Sequence, residues 1–315
     1  MFIYIFMFSI IFPGQGSQII GMGNEFYQNF SYVRDFFTKA DDLLKKNLSK
    51  LILEGPKDKL DLTENTQSAI FLVSYSIFKV IEKETNFDLK SAKFYAGHSL
   101  GEYSALCCSQ SINFEQTINL LNHRGKAMQN AVPKGAGGMY AVLGVNIDEV
   151  NKILKDNSNN FKCYIANDNT TGQIAVSGEL SSLNLLEEEL KRNKIKFIQL
   201  PVSAPFHCPL MKKATDEMKQ IIIDTKFEDP NIDIISNVTA KPQKKSEEIK
   251  NLLIEQIEQP VRWRESINNM IGLGVNKFIE IGPGKVLSGL IKRIDRNVKL
   301  NQVNNLSDLE NIIND

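Results

Sequence analysis

Lys93-Phe-Tyr-Ala-Gly-His-Ser-Leu-Gly-Glu-Tyr-Ser-Ala-Leu106 sets a short strand, Lys93 to Ala96, directly before a helix that begins at Glu102. Between them stands Gly97-His98-Ser99-Leu100-Gly101, a G-x-S-x-G pentapeptide in the setting of a nucleophile elbow. Such a turn strains the serine, and the flanking glycines are needed because a side chain there would meet the neighbouring strand or helix. Ser99 then projects at a helix N-terminus, where backbone N–H groups and the positive dipole end face an oxyanion developing beside it. Ser99-x-x-Glu102 is also a capping-box pattern that needs no chemistry. The strand before it and the helix after it favour the nucleophile.

Working outward, Phe8 to Phe12 predicts a buried first strand followed by the loop Pro13-Gly14-Gln15-Gly16. Helical periodicity then runs over about 24–47 and 66–84. Strand, helix and strand alternation points to a parallel α/β core. Val132-Pro-Lys-Gly-Ala-Gly-Gly138 marks a hinge. Beyond it come strand (139–144), helix (148–155), strands (161–166 and 173–177), helix (181–192) and strand (196–202), a β-α-β-β-α-β order. After Pro205 the α/β character resumes, with strands at 233–236 and 277–281. The expected fold is therefore α/β: a large α/β-hydrolase-like domain with a parallel sheet core (1–131 and 204–315) and an inserted small ferredoxin-like subdomain (132–203).

A chain of 315 residues with 42% hydrophobic content can bury a substantial core. Lys plus Arg and Asp plus Glu both total 37, so no net field draws the molecule to nucleic acid or a membrane surface. Cys107, Cys108, Cys163 and Cys208 show neither a disulfide framework nor zinc spacing and are expected as reduced, mostly buried thiols. The apolar run from Met1 to Phe12 lacks the basic region and cleavage site of a signal peptide and is too short to span a bilayer. It fits a first strand with an extension before Met7, itself a candidate start.

A serine hydroxyl needs a base, and the sequence offers only His98, His123 and His207. His98 adjoins the serine, but successive side chains at a tight turn diverge. His123 lies mid-helix, away from the Ile118, Leu121 and Met128 stripe. His207 stands in a loop after the serine in chain order, as in hydrolase-type sites, and is favoured by elimination. Arg124 lies near the flank of its helix's apolar stripe, where a buried guanidinium needs an anion. A bound carboxylate would serve, with hydrogen bonds to charged groups of about 1.5–3 kcal/mol each; a local Asp or Glu would serve equally. Phe12-Pro-Gly-Gln-Gly-Ser-Gln18 lacks both dinucleotide-binding spacing and a P-loop lysine. It can still bring the Gln15 N–H close to the nucleophile, complementing the N–H of Leu100.

These segments, with His123-Arg-Gly-Lys126, Ile165-Ala-Asn167, Phe206-His207 and Glu280-Ile-Gly-Pro-Gly-Lys-Val-Leu287, make the chain similar over nearly its whole length to the malonyl-CoA:acyl carrier protein transacylases of fatty acid synthesis. More widely, it resembles the acyltransferase domains of polyketide synthases. The resemblance implies that Ser99 takes the acyl group, His207 activates it, and Arg124 holds the malonyl carboxylate. Gln15 and Leu100 would form the oxyanion hole, and the main-chain carbonyl of Gln256, ahead of Pro260-Val261-Arg262-Trp263, would orient His207. Asn167, Phe206 and Met128 would line the substrate cleft, Phe206 disfavouring an α-methyl group. The expected reaction carries malonyl from malonyl-CoA to the phosphopantetheine thiol of acyl carrier protein. No cofactor or metal is expected to be bound; CoA enters as the substrate thioester, and phosphopantetheine comes on the partner. The protein is expected to be a cytoplasmic monomer, with no nucleic-acid or membrane partner. Lys212-Lys213, Lys241 to Lys245, Lys285 and Lys292-Arg293 are candidate docking charges. A serine esterase or thioesterase using water, and a noncatalytic carrier-binding scaffold, are the alternatives.

Overall fold

The computed structural model describes residues 7–202 and 204–313. The extension before Met7, and Ser203 in the loop that carries His207, lie outside the described residues. Ten strands are present among the described residues: β1 Phe8–Phe12, β2 Phe94–Gly97, β3 Gly137–Leu143, β4 Cys163–Thr170, β5 Gln173–Glu179, β6 Lys196–Gln199, β7 Ile234–Ile235, β8 Pro242–Gln243, β9 Lys277–Ile281 and β10 Lys299–Val303.

β1 sits between β2 and β9, parallel to both, in a six-stranded sheet of order β10-β9-β1-β2-β7-β8. Both faces of such a central parallel strand are covered, which explains why Ile10, Ile11 and Phe12 are wholly buried and the strand reads as a nearly continuous apolar run. β7 is shorter than expected. β8 departs from the all-parallel expectation by pairing antiparallel with β7 at the sheet edge, where Pro242 is tolerated because no further strand needs its missing N–H. β10 has no counterpart in the sequence reading: as the other edge it is only half buried, so Lys299, Asn301 and Gln302 hide the apolar signal. The expected helical stretch 24–47 resolves into Asn24–Asn29 and Ser31–Leu44, and the next long helix begins earlier than expected, spanning Thr63–Glu84. No described helix is long and apolar enough to cross a membrane.

The second sheet has four strands in the order β4-β5-β3-β6, all neighbours antiparallel. Helices Ile147–Asp156 and Leu180–Arg192 follow β3 and β5, giving the expected β-α-β-β-α-β sequence of elements. Asn146 opens the first with a reciprocal capping box to Glu149, a local signal that fixes the helix start. β4 continues past the expected Ala166 to Thr170, through two register irregularities. That extension ties the small sheet to the segment just before the helix Trp263–Gly272. Val261 N–H donates to Ala166 O at 2.8 Å, and Asp168 N–H donates to Val261 O at 2.9 Å. Arg264 grips the buried Asp168 carboxylate through Nε at 3.0 Å and Nη2 at 2.8 Å. All four cysteines are free and buried.

Candidate active site

The elbow is built by close approach of backbone. A Cβ on Gly97 would stand 1.9 Å from the Gly101 carbonyl carbon, and one on Gly101 would stand 2.3 Å from Phe12 O, so neither position admits a side chain. Between them Ser99 is held at φ 54°, the left-handed region that costs a non-glycine residue of order 1–3 kcal/mol. The helix Gly101–Cys108 starts with no side-chain cap. Ser99 Oγ is engaged elsewhere, so the capping box is not formed.

Ser99 Oγ lies 2.8 Å from His207 Nε2, and His207 Nδ1 lies 2.8 Å from the Gln256 main-chain oxygen. A carbonyl oxygen only accepts, so Nδ1 carries the proton and Nε2 presents its lone pair to the serine hydroxyl. His98 turns the other way, its Nε2 2.9 Å from Asn169 Oδ1 and its ring edge-on to Trp263, while His123 is exposed.

Arg124, from the helix Phe114–Gln129, is 1% exposed. It donates to Gln67 Oε1 at 2.8 Å, Gln256 Oε1 at 2.9 Å and Ser99 Oγ at 3.2 Å. Neutral amides therefore hold the cation, and a local ion pair, one of the two readings open in the sequence, is not formed among the described residues. Ser99, His207, Arg124, Gln15, Leu100, Asn167, Phe206 and Met128 all line one cavity of about 160 Å³. Gln256 is wholly buried behind it. A larger groove of about 770 Å³, among Glu149, Lys152, Glu189 and Lys196, shares none of these residues.

The family model of the acyl transferase domain matches residues 9–306. The chain belongs to the acyl transferase domain family. The malonyl CoA-acyl carrier protein transacylase of Bacillus subtilis (strain 168) is 41% identical over 293 residues, 92% of this chain and 91% of that protein. The crystal structure of an acyl-carrier-protein-S-malonyltransferase from Bartonella henselae superposes with a TM-score of 0.94 at 40% identity, covering 98% of each chain. A type II PKS acyl-carrier protein in complex with its malonyl-transacylase gives a TM-score of 0.93 at 35% identity, over 98% of this chain and 99% of that one.

In this acyl transferase, burial and the neighbouring Arg124 charge push the His207 imidazole down to about 3, against the pull of the Gln256 carbonyl. Burial likewise pushes Glu102 up to about 7, opposed by its bonds from Asn237 and Gln256 and by the Arg124 charge. Gln67, Asn237 and the carboxylate of Glu102 were absent from the sequence reading of the site. Gln67 carried no distinguishing signal, standing in the polar stretch Thr63-Glu-Asn-Thr-Gln-Ser68 that opens its helix, and Asn237 carried none. Of the basic clusters, Lys212 pairs with Asp216, Lys244 with Asp233 and Lys245 with Asp229. All three lysines are exposed, where such pairs contribute little.

Proposed function

We propose that the protein transfers the malonyl group of malonyl-CoA to the phosphopantetheine thiol of acyl carrier protein through a malonyl ester on Ser99. The names of its relatives support this, and one observation carries it: a permanently charged guanidinium, buried among neutral amides, stands 3.2 Å from the serine oxygen. An acyl chain ending in a carboxylate supplies the missing anion.

Ser99 Oγ attacks the thioester carbonyl carbon while its proton passes to His207 Nε2. The Gln15 and Leu100 N–H groups receive the oxyanion. Collapse breaks the C–S bond, and the imidazolium returns its proton to the departing CoA sulfur. The carrier's thiol then gives a proton to His207 and attacks the malonyl ester, and Ser99 leaves with its hydroxyl restored. Arg124 holds the free carboxylate throughout; Asn167 and Met128 line its surroundings, and Phe206 crowds any α-methyl substituent. No bound cofactor takes part, and the protein works as a cytoplasmic monomer. The fold is read as an α/β-hydrolase-like domain, residues 1–131 and 204–315, with a ferredoxin-like insertion at 132–203, the strand orders of the two sheets supporting it.

Intact-protein mass after mixing with malonyl-CoA tests the reading: a malonyl adduct is expected, discharged by carrier protein and stable without it. Continued consumption of malonyl-CoA beyond one equivalent per protein, with no carrier present, would identify a thioesterase instead. Arg124→Ala should cut malonyl loading by about 10²-fold while acetyl loading falls far less, because only the malonyl group loses a charged partner. Equal losses would contradict the clamp.

The pH dependence follows from the depressed imidazole. The active form is neutral, and its fraction is already complete well above a pKa of about 3. Inactivation of Ser99 by a neutral sulfonyl fluoride should therefore hold a constant rate from pH 8 down to pH 5. An imidazole at its ordinary value of about 6.5 would lose more than nine-tenths of that rate at pH 5.

A further inference from the structure

Glu102 is 2% exposed, lines no part of the pocket and takes no part in the steps above. Its Oε2 accepts from Gln256 Nε2 at 2.7 Å and from the Asn237 backbone N–H at 3.1 Å. Those two residues hold the main chain of Ser99 from both sides. Asn237 Oδ1 accepts the Ser99 N–H at 2.7 Å, and Gln256 Nε2 donates to Ser99 O at 3.1 Å. Gln256 also accepts from Arg124 at its Oε1 and from His207 at its main-chain oxygen.

A side-chain amide has one accepting and one donating end. A guanidinium only donates, so Gln256 must turn Oε1 toward Arg124; a carboxylate only accepts, so it must be met by Nε2. Glu102 and Arg124 thus grip opposite ends of one amide. A neutral group in place of Glu102 weakens the constraint, because it can donate as well as accept and leaves the Ser99 carbonyl as the main remaining acceptor for Nε2. The amide is then held less firmly with its Oε1 toward Arg124. In its ionised form Glu102 also carries a negative charge whose field, after that of Tyr103, opposes the burial that disfavours the Arg124 guanidinium.

We propose that Glu102 is a positioning residue for the malonyl-carboxylate site, locking the Gln256 amide and through it the Arg124 guanidinium beside Ser99. The inference rests on the malonyl reading, and the test separates the two. Single-turnover loading from malonyl-CoA and from acetyl-CoA is followed by intact mass in the wild-type protein, E102Q, R124A and the double variant. Wild-type protein that takes no malonyl group refutes the function itself, before any variant is considered.

Given loading, E102Q is expected to lower the malonyl rate about tenfold and the acetyl rate less than about threefold, and to leave the malonyl-to-acetyl ratio of R124A unchanged, since residues that share a hydrogen-bond partner, here Gln256, couple. Equal malonyl and acetyl losses would mean that Glu102 supports only the elbow, and a further fall in the ratio on the R124A background would mean that it acts apart from Arg124. Either result overturns the proposal, as does an unchanged E102Q. If E102Q does not fold, E102D, whose carboxylate is withdrawn by one methylene, is read in the same assays and must shift the ratio in the same direction. Loss of the native fold in both variants overturns the positioning role in favour of a structural one.

Discussion

Ser99→Ala protein is expected to show no mass increase with malonyl-CoA and a loss of transfer on the order of 10⁴-fold or more. The reason is geometric as well as chemical. Ser99 Oγ is the atom on which His207 Nε2 and Arg124 converge, at 2.8 and 3.2 Å. No cysteine lines the pocket to take its place. Burial also keeps the thiols protonated, pushing Cys163 and Cys208 up to about 12 each. Stability should change little, since the lost hydroxyl removes hydrogen bonds of about 1 kcal/mol each and leaves the elbow's glycine contacts intact. Intact mass and a melting curve on the same sample check both halves. An adduct that survives the substitution would remove Ser99 from its role.

His207→Ala is the second large effect. Without a proton acceptor on Oγ, the loading rate should fall by about 10²–10⁴-fold. Loss should stop short of that for Ser99→Ala, because the N–H donors and Arg124 remain to bind and polarise the thioester. The substitution also strips the buried Gln256 carbonyl of the proton it accepts at 2.8 Å, so a stability cost of about 1–3 kcal/mol should accompany it. Comparing loading at a temperature well below the melting point of both proteins separates the two effects. Turnover equal to wild type would refute His207 as the base.

Much of this site was legible because its instructions are local. Gly97, Ser99 and Gly101 announce an elbow within five residues, and the clashes that exclude side chains at 97 and 101 involve the immediately following turn and the adjacent β1. The apolar run at Phe8–Phe12, broken only by Ser9, follows from both faces of a parallel sheet being covered, so it was readable from the sequence pattern alone. The four-stranded sheet was readable for a similar reason: its strands and helices alternate at short spacing, each bounded by its own turn. Edge strands β8 and β10 were not, because one exposed flank dilutes the apolar pattern.

His207 was reached by elimination among three histidines, and its link to Gln256 by family resemblance rather than by any pattern of its own. The side-chain partners of Gln256 were beyond either route. Glu102 looks like a capping residue in sequence, and Gln67 is one of six successive polar residues at the start of its helix. Their bonds to Gln256 and Arg124 span 154 and 57 residues.

By itself, then, the sequence determined the nucleophile's turn, the order of the strands and helices apart from the two edge strands β8 and β10, and which residue types were available as base and cation. Hydrophobic periodicity and steric demand act over a few residues and leave their mark in the chain. Only the tertiary structure decided which groups share the cavity, which nitrogen of His207 faces Ser99, and that Arg124 is held by amides instead of a carboxylate. Those outcomes depend on hydrogen bonds between distant segments, whose donors and acceptors acquire partners only when the loop at 207, the turn after 255 and the helix at 114–129 pack together around β2.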